Sequence, residues 1–168
     1  MSAGSEKGRI VGVCSSHHPQ APKKNIDQGM LREDWGLEGD SHAGTKRQVS
    51  LLASEDIEAA CEKRRIHAPP GAFAENITTS GIDLGRIRVG DRLRLGEAVI
   101  EVVAVGKDPS EPRTYSYCGI SLLPEKGVFT RVVRSGQVKV GDTVELDSRG
   151  RGGRPQPRKV PGREVRRL

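Results

Sequence analysis

The chain has 168 residues, 34% of them apolar, with only two Phe, one Trp and two Tyr. That length suits one domain with a mostly aliphatic core, and no apolar run approaches the roughly 18 residues of a membrane span. The formal charge of +6 is unevenly placed: residues 148–168 carry eight basic side chains against Glu164, a net +7, leaving −1 for the other 147 residues.

Residues 1–8 read as a flexible leader, with no apolar stretch of the kind a secretory signal needs. Residues 9–16 (RIVGVCSS) are rich in β-branched side chains and read as a first strand. A polar loop with two prolines follows. Its adjacent His17 and His18 point different ways and gather no further ligands, so no metal site is expected.

The segment GLEGDSHAG, residues 36–44, combines turn glycines with Asp40 and His42. On an extended chain, two residues apart means one shared face. Arg47 and Gln48 follow, and Arg suits bidentate capture of an oxyanion. The pattern reads as a binding wall for a polar, anionic ligand. Asp40 alone is equally at home as a turn residue.

RQVSLLA (47–53) reads as a buried strand, and SEDIEAACEKRRI (54–66) as a helix. Ser54 is placed to cap the helix, Glu55 and Asp56 suit its first turn, and Ile57, Ala60 and Cys61 share a face. Pro69-Pro70-Gly71 stops it. In PGAFAENITT, Glu75 and Asn76 precede a strand, as turn and surface residues or as polar groups at a pocket rim. Residues 71–147 read mostly as strands. VGDRLRLGEAVIEVVAVG forms two of them joined at Gly96-Glu97, the second buried on both sides. Asp91 and Asp142, in two copies of Val-Gly-Asp, read as turn residues. Short strands, frequent glycine turns and one or two short helices give a mainly β fold, a closed or nearly closed barrel.

Cys14, Cys61 and Cys118 show no zinc or redox spacing, which suits a reducing cytoplasm. Cys14 and Cys61 read as core. Tyr115 and Tyr117 alternate before Cys118, as stacking platform or strand-edge aromatics. Residues 148–168 read as a basic, disordered tail able to hold polyanions weakly. It lacks the interleaved aromatics of a nucleic-acid platform.

The order GLEGDSHAG, RQVSLL, PGAFAENITTSGIDL, VGDRLRLGEAVIEV, VGK and VFTRVVRSGQVKVGDTVEL resembles the MOSC family, named for the C-terminal domain of molybdenum cofactor sulfurases. The resemblance gives a MOSC-like β-barrel domain over residues 9–147. It implies handling of the molybdenum cofactor (molybdopterin), a pterin phosphate, and sulfur-carrier or metal–sulfur transfer. A cysteine desulfurase or a molybdoenzyme is the implied partner. The pyridoxal phosphate of fused sulfurases belongs to a separate domain, so none is expected in this chain. The resemblance assigns cofactor binding to Asp40, His42, Arg47, Gln48, Glu75 and Asn76, and to Lys24 in the first loop; Lys107 and Arg113 join the cationic set.

One departure matters. Many small relatives place a cysteine in Gly-Lys-x-Cys-His, where this chain has Gly106-Lys107-Asp108-Pro109-Ser110. Cys118 is the thiol left in that region, and catalysis by sulfur transfer would fall to it. The alternative is a pterin- or oxyanion-binding module without thiol chemistry.

Overall fold

The computed structural model describes residues 6–19, 21–107 and 115–150. Eleven strands run in chain order as β1 (Lys7–Ser15), β2 (Lys24–Asn25), β3 (Gln28–Arg32), β4 (Gly36–Leu37), β5 (Val49–Ala53), β6 (Ile77–Ser80), β7 (Arg92–Leu95), β8 (Ala98–Val105), β9 (Val128–Arg134), β10 (Gly136–Lys139) and β11 (Thr143–Ser148). Helix α1 (Ser54–Arg64) lies between β5 and β6, and the short α2 (Leu123–Lys126) precedes β9.

Seven strands close into a barrel in the order β11-β7-β8-β9-β5-β6-β1, with β1 pairing back onto β11 through Lys7 and Glu145, and Arg9 and Thr143. Closure removes the open sheet edges that would otherwise invite pairing with other chains. Among the described residues only β5 and β6 pair in parallel, and α1 lies in the crossover that a parallel pair requires. A small sheet, β10-β3-β4, sits beside the barrel. Its Leu31, Leu37 and Val138 enter the same core as Ile10, Leu51 and Ile100. That core is aliphatic, as the composition implies. A second cluster under α1 holds Leu52, Ile57, Cys61, Ala72, Phe73 and Leu122.

Several local expectations change. The first strand begins at Lys7, inside the expected leader. Ser54 does not cap α1: the N-cap position is Ala53, with no side-chain hydrogen bond. The helix ends at Arg64 because Arg65 turns left-handed, four residues before Pro69. Strand β8 is buried at Ala98, Val99, Ile100 and Val102, but Val105 is 50% exposed, and Glu101 faces Arg131 at 2.7 Å. Its second half is thus solvated on one side. The turn roles hold: Asp91 Oδ2 accepts from the Arg88 N–H, and Asp142 Oδ2 from the Lys139 N–H, both at 2.9 Å. Arg149, past the expected domain end at 147, also reaches Asp91 at 3.0 Å and Glu6 at 2.7 Å. Among the described residues, no helix is long and apolar enough to cross a membrane.

Candidate functional site

The site forms at one end of the barrel, where β1 finishes and β5 begins. Residues 38–48 make a turn-rich loop there, not an extended segment, so Asp40 and His42 meet by a turn and not by strand alternation. Asp40 is the hub. Its Oδ1 accepts from the Ser16 N–H (3.1 Å) and from Lys23 Nζ (2.7 Å), and its Oδ2 accepts from the His42 N–H (3.0 Å). The Lys23 and Asp40 side chains are 1% and 0% exposed. Burial by itself would raise the Asp40 carboxyl. The neighbouring His42 and Lys23 outweigh it and hold the group well below the usual carboxylate range. Lys23 Nζ also lies 3.2 Å from His42 Nδ1.

The basic residue in this cluster is Lys23. Lys24, the residue the family pattern suggested, lies exposed on β2. Lys23 tucks inward because Gly71 lets the chain pass closely: its φ is +90°, a Cβ there would collide with the Lys23 carbonyl, and its own carbonyl accepts from the Lys23 N–H at 2.8 Å. Gly44 serves the loop similarly. Its φ is +82°, and a Cβ would fall 2.8 Å from the ring of Trp35.

Beyond His42, Thr45 Oγ1 donates to the His42 carbonyl (2.7 Å) and accepts from the Arg47 N–H (3.3 Å). The Arg47 guanidinium then lies 5.1 Å from the centre of the Phe129 ring on β9, and Lys107 Nζ lies 6.0 Å from the same centre. Both distances fall in the range of cation–π attraction.

Gln48, Glu75 and Asn76 are buried and already engaged. Gln48 Oε1 accepts from the Val132 N–H (3.0 Å), and its Nε2 donates to Asp34 (3.4 Å). Glu75 accepts from the Gly71 N–H, the Phe73 N–H and Thr78 Oγ1. Burial pushes its carboxyl up, against those hydrogen bonds. Asn76 Oδ1 accepts from the Ser50 N–H, and its Nδ2 donates to the Cys14 carbonyl. Asn76 thus ties loop 71–76 to β1 and β5, Glu75 ties the loop to itself and to β6, and Gln48 ties the head of β5 to β9. Glu75 and Asn76 are buried and not at the surface.

Cys14 and Cys61 are buried, and Cys118 is exposed. Burial pushes the Cys14 thiol up to about 12 and raises Cys61. Cys118 and Gly119 form the tip of a tight turn, with φ of 51° and 80°. Tyr117 and Ile120 exchange backbone hydrogen bonds across it (2.8 and 2.9 Å). Two successive positive φ values are those of a type I′ hairpin, which favours Asn or Gly at its first central position. The cation beside this turn is Arg64 of α1, which donates to the Cys118 carbonyl at 3.3 Å. Lys107 stands at Phe129, and Arg113 lies outside the described residues. Tyr115 and Tyr117 are tied down: their hydroxyls donate to the Ala72 and His67 carbonyls, and Tyr117 packs edge-on against Phe73. Among the described residues, no group of three or more His, Cys, Asp or Glu could hold a metal ion.

Sequence reasoning missed Lys23 and Phe129. The two lysines at 23 and 24 differ by no sequence signal. Phe129 lies eighty-two residues from Arg47, inside a run that reads only as strand.

A MOSC domain profile matches residues 38–145. YflK of Bacillus subtilis is 33% identical over 137 residues, covering 74% of this chain but only 60% of YflK's own length. YiiM of Escherichia coli is 26% identical over 164 residues, covering 84% of this chain and 70% of YiiM. The crystal structure of the Bacillus subtilis YuaD protein superposes with a TM-score of 0.69 at 20% identity, over 84% of this chain and 96% of that one. The Escherichia coli YiiM structure gives 0.59 at 23% identity, over 85% and 70%. These two likenesses speak to the fold.

Proposed function

The chain belongs to the MOSC domain family, which is linked to molybdenum cofactor binding and sulfuration, and from that premise we propose that it binds an anionic pterin-type cofactor, the molybdenum cofactor or a close chemical relative. The supporting observation is the meeting of Arg47 and Lys107, sixty residues apart in sequence, over the ring of Phe129. A guanidinium and an ammonium stand there, and the imidazole of His42 lies five residues before Arg47 on the same loop. They suit phosphate oxygens, and the described residues offer no soft ligand cluster for a metal. Arg47 and Lys107 would hold the phosphate, with His42 at its edge. When bound, the cofactor supplies a phosphate monoester and a dithiolene-held metal. Phe129 sets the height of both cations, and the buried Lys23–Asp40 pair fixes the loop that carries His42 and Arg47.

Calorimetry with 6-hydroxymethylpterin phosphate tests this reading. Wild type should bind, and Arg47→Ala should bind at least tenfold more weakly with little change in melting temperature. Equal affinity in the two proteins would remove Arg47 from the site.

A second reading, thiol-based sulfur transfer, is favoured by Cys118. It is the exposed cysteine, and it holds a left-handed position where Asn or Gly is the easier residue. Residues kept in costly backbone conformations cluster at functional sites. In this chemistry the Cys118 thiolate attacks the outer sulfur of a persulfide on a cysteine desulfurase. A bond to that sulfur forms, and the donor leaves as its thiolate, with no net oxidation. Persulfide detected by mass on wild type and absent from Cys118→Ser is the expected result. Persulfide on neither protein would leave ligand binding as the function.

A further inference from the structure

We infer that Lys23 is a positioning residue that holds the His42 imidazole as its neutral Nε2–H tautomer, so that the site offers a hydrogen-bond donor to an anionic ligand. An ammonium group has three N–H donors and no acceptor. Lys23 Nζ lies 3.2 Å from His42 Nδ1, so that nitrogen must contribute its lone pair. The Ser41 hydroxyl lies 3.4 Å from the same nitrogen and is free to donate as well. An Nδ1–H would instead face the Lys23 ammonium donor to donor.

The competing arrangement is an Nδ1–H bonded to Asp40. The gap from Nδ1 to Asp40 Oδ2 is 3.7 Å, beyond a hydrogen bond, whereas Lys23 Nζ is nearer at 3.2 Å. Asp40 Oδ1 takes two donors, Lys23 Nζ and the Ser16 N–H. Asp40 therefore orients Lys23, and Lys23 orients the imidazole, as a partner on one ring nitrogen sets the state of the other.

The ring's inner nitrogen faces a side chain that is 1% exposed, whereas the His42 side chain is 41% exposed. The proton is thus carried on the far side of the ring from Lys23. His42 in this state donates to a phosphate or carboxylate oxygen. It does not offer a basic nitrogen outward, so it is neither a general base nor an outward-facing metal ligand. The acceptor's identity rests on the proposed anionic ligand; the tautomer does not.

The test is a long-range ¹H–¹⁵N imidazole correlation spectrum of the ligand-free, ¹⁵N-labelled protein at about pH 8.5, well above the ordinary imidazole pKa of about 6.5. The chain has four histidines, and His42→Gln assigns the signal. The expected result is a protonated Nε2 and a bare Nδ1. In Lys23→Met the Nδ1–H form should become the major one, because Asp40 is then the nearest partner, while Lys23→Arg should keep the wild-type pattern. A protonated Nδ1 in wild type overturns the inference, as does an unchanged tautomer in folded Lys23→Met. If Lys23→Met does not fold, the wild-type and Lys23→Arg spectra decide. Failure of the pterin phosphate to bind would sink the ligand reading and leave this result standing, since no ligand enters the measurement.

Discussion

Lys23 and Asp40 form an ion pair 2.7 Å apart with both side chains almost wholly out of water. The pair is satisfied on every side the structure shows, by Ser16, His42 and each other. Removing one member leaves the other as an unpaired buried charge, the costly way to break such a pair. Asp40→Ala should lower stability by about 3–5 kcal/mol, measured by urea unfolding. A loss under about 1 kcal/mol would mean that water reaches Lys23.

The same carboxyl gives a pH dependence. Its folded-state pKa is depressed, so the unfolded chain binds the proton more readily. The stabilisation is therefore present above the unfolded value of about 3.9 and is lost as pH falls below it. Glu75 shifts the other way, and its contribution is greatest at low pH and declines as pH rises through its raised folded value. Asp40→Asn should flatten the stability profile below about pH 4. An unchanged acid limb would place the titration elsewhere.

Glu75 holds two backbone N–H groups and the Thr78 hydroxyl inside the protein. Glu75→Ala strands those donors at about 1–3 kcal/mol each before relaxation. It should loosen residues 71–76, read as faster amide hydrogen exchange at Gly71 and Phe73. Protection equal to wild type at both amides would contradict the role given to Glu75.

Cys118 should be alkylated well before Cys14 and Cys61 in the folded protein near neutral pH, because only it is exposed. Peptide mapping of an alkylation time course decides the order. Cys118→Asn should also raise stability by about 0.5–1 kcal/mol, since Asn accepts a left-handed position more readily. If Cys118 reacts no faster than Cys61, the sulfur-transfer reading falls.

Two truncations bracket residues 149 and 150, which hold Asp91. Ending the chain at Gly150 should leave the melting temperature nearly unchanged, because residues 151–168 contain only Val160, Val165 and Leu168 as aliphatic side chains. Ending it at Ser148 also removes Arg149 and the Gly150 N–H from Asp91. That should cost about 1.5–3 kcal/mol, the scale for hydrogen bonds to a charged group. Equal melting temperatures would show those contacts to be weightless.

The strands were legible because each carries its own signal: β-branched runs, alternation and glycine turns. So was α1, by spacing and by its acidic first and basic last turn. What could not be read locally is non-local. Gln48 stands at the head of an apolar strand and looks free to bind, but its amide completes the ladder at Val132, eighty-four residues away. Glu75 and Asn76 look like surface polar residues until β1, β5 and loop 71–76 close over them. Lys23 and Lys24 are chemically identical neighbours. Only the approach of Gly71, forty-eight residues on, decides which one turns inward.

The seam between β1 and β11 sets the order of events in synthesis. The first strand of the barrel pairs with its last, Lys7 opposite Glu145, so no barrel can close on the ribosome until residue 148 has emerged. Until then β1 has β6 along one edge and only the short β2 at the end of the other. The rest of that second edge stays open to intermolecular pairing. Contacts of such long sequence separation are slow to form, and exposed strand edges in unfinished chains promote aggregation. Yield during expression should therefore depend on how quickly translation delivers the segment from 128 to 148.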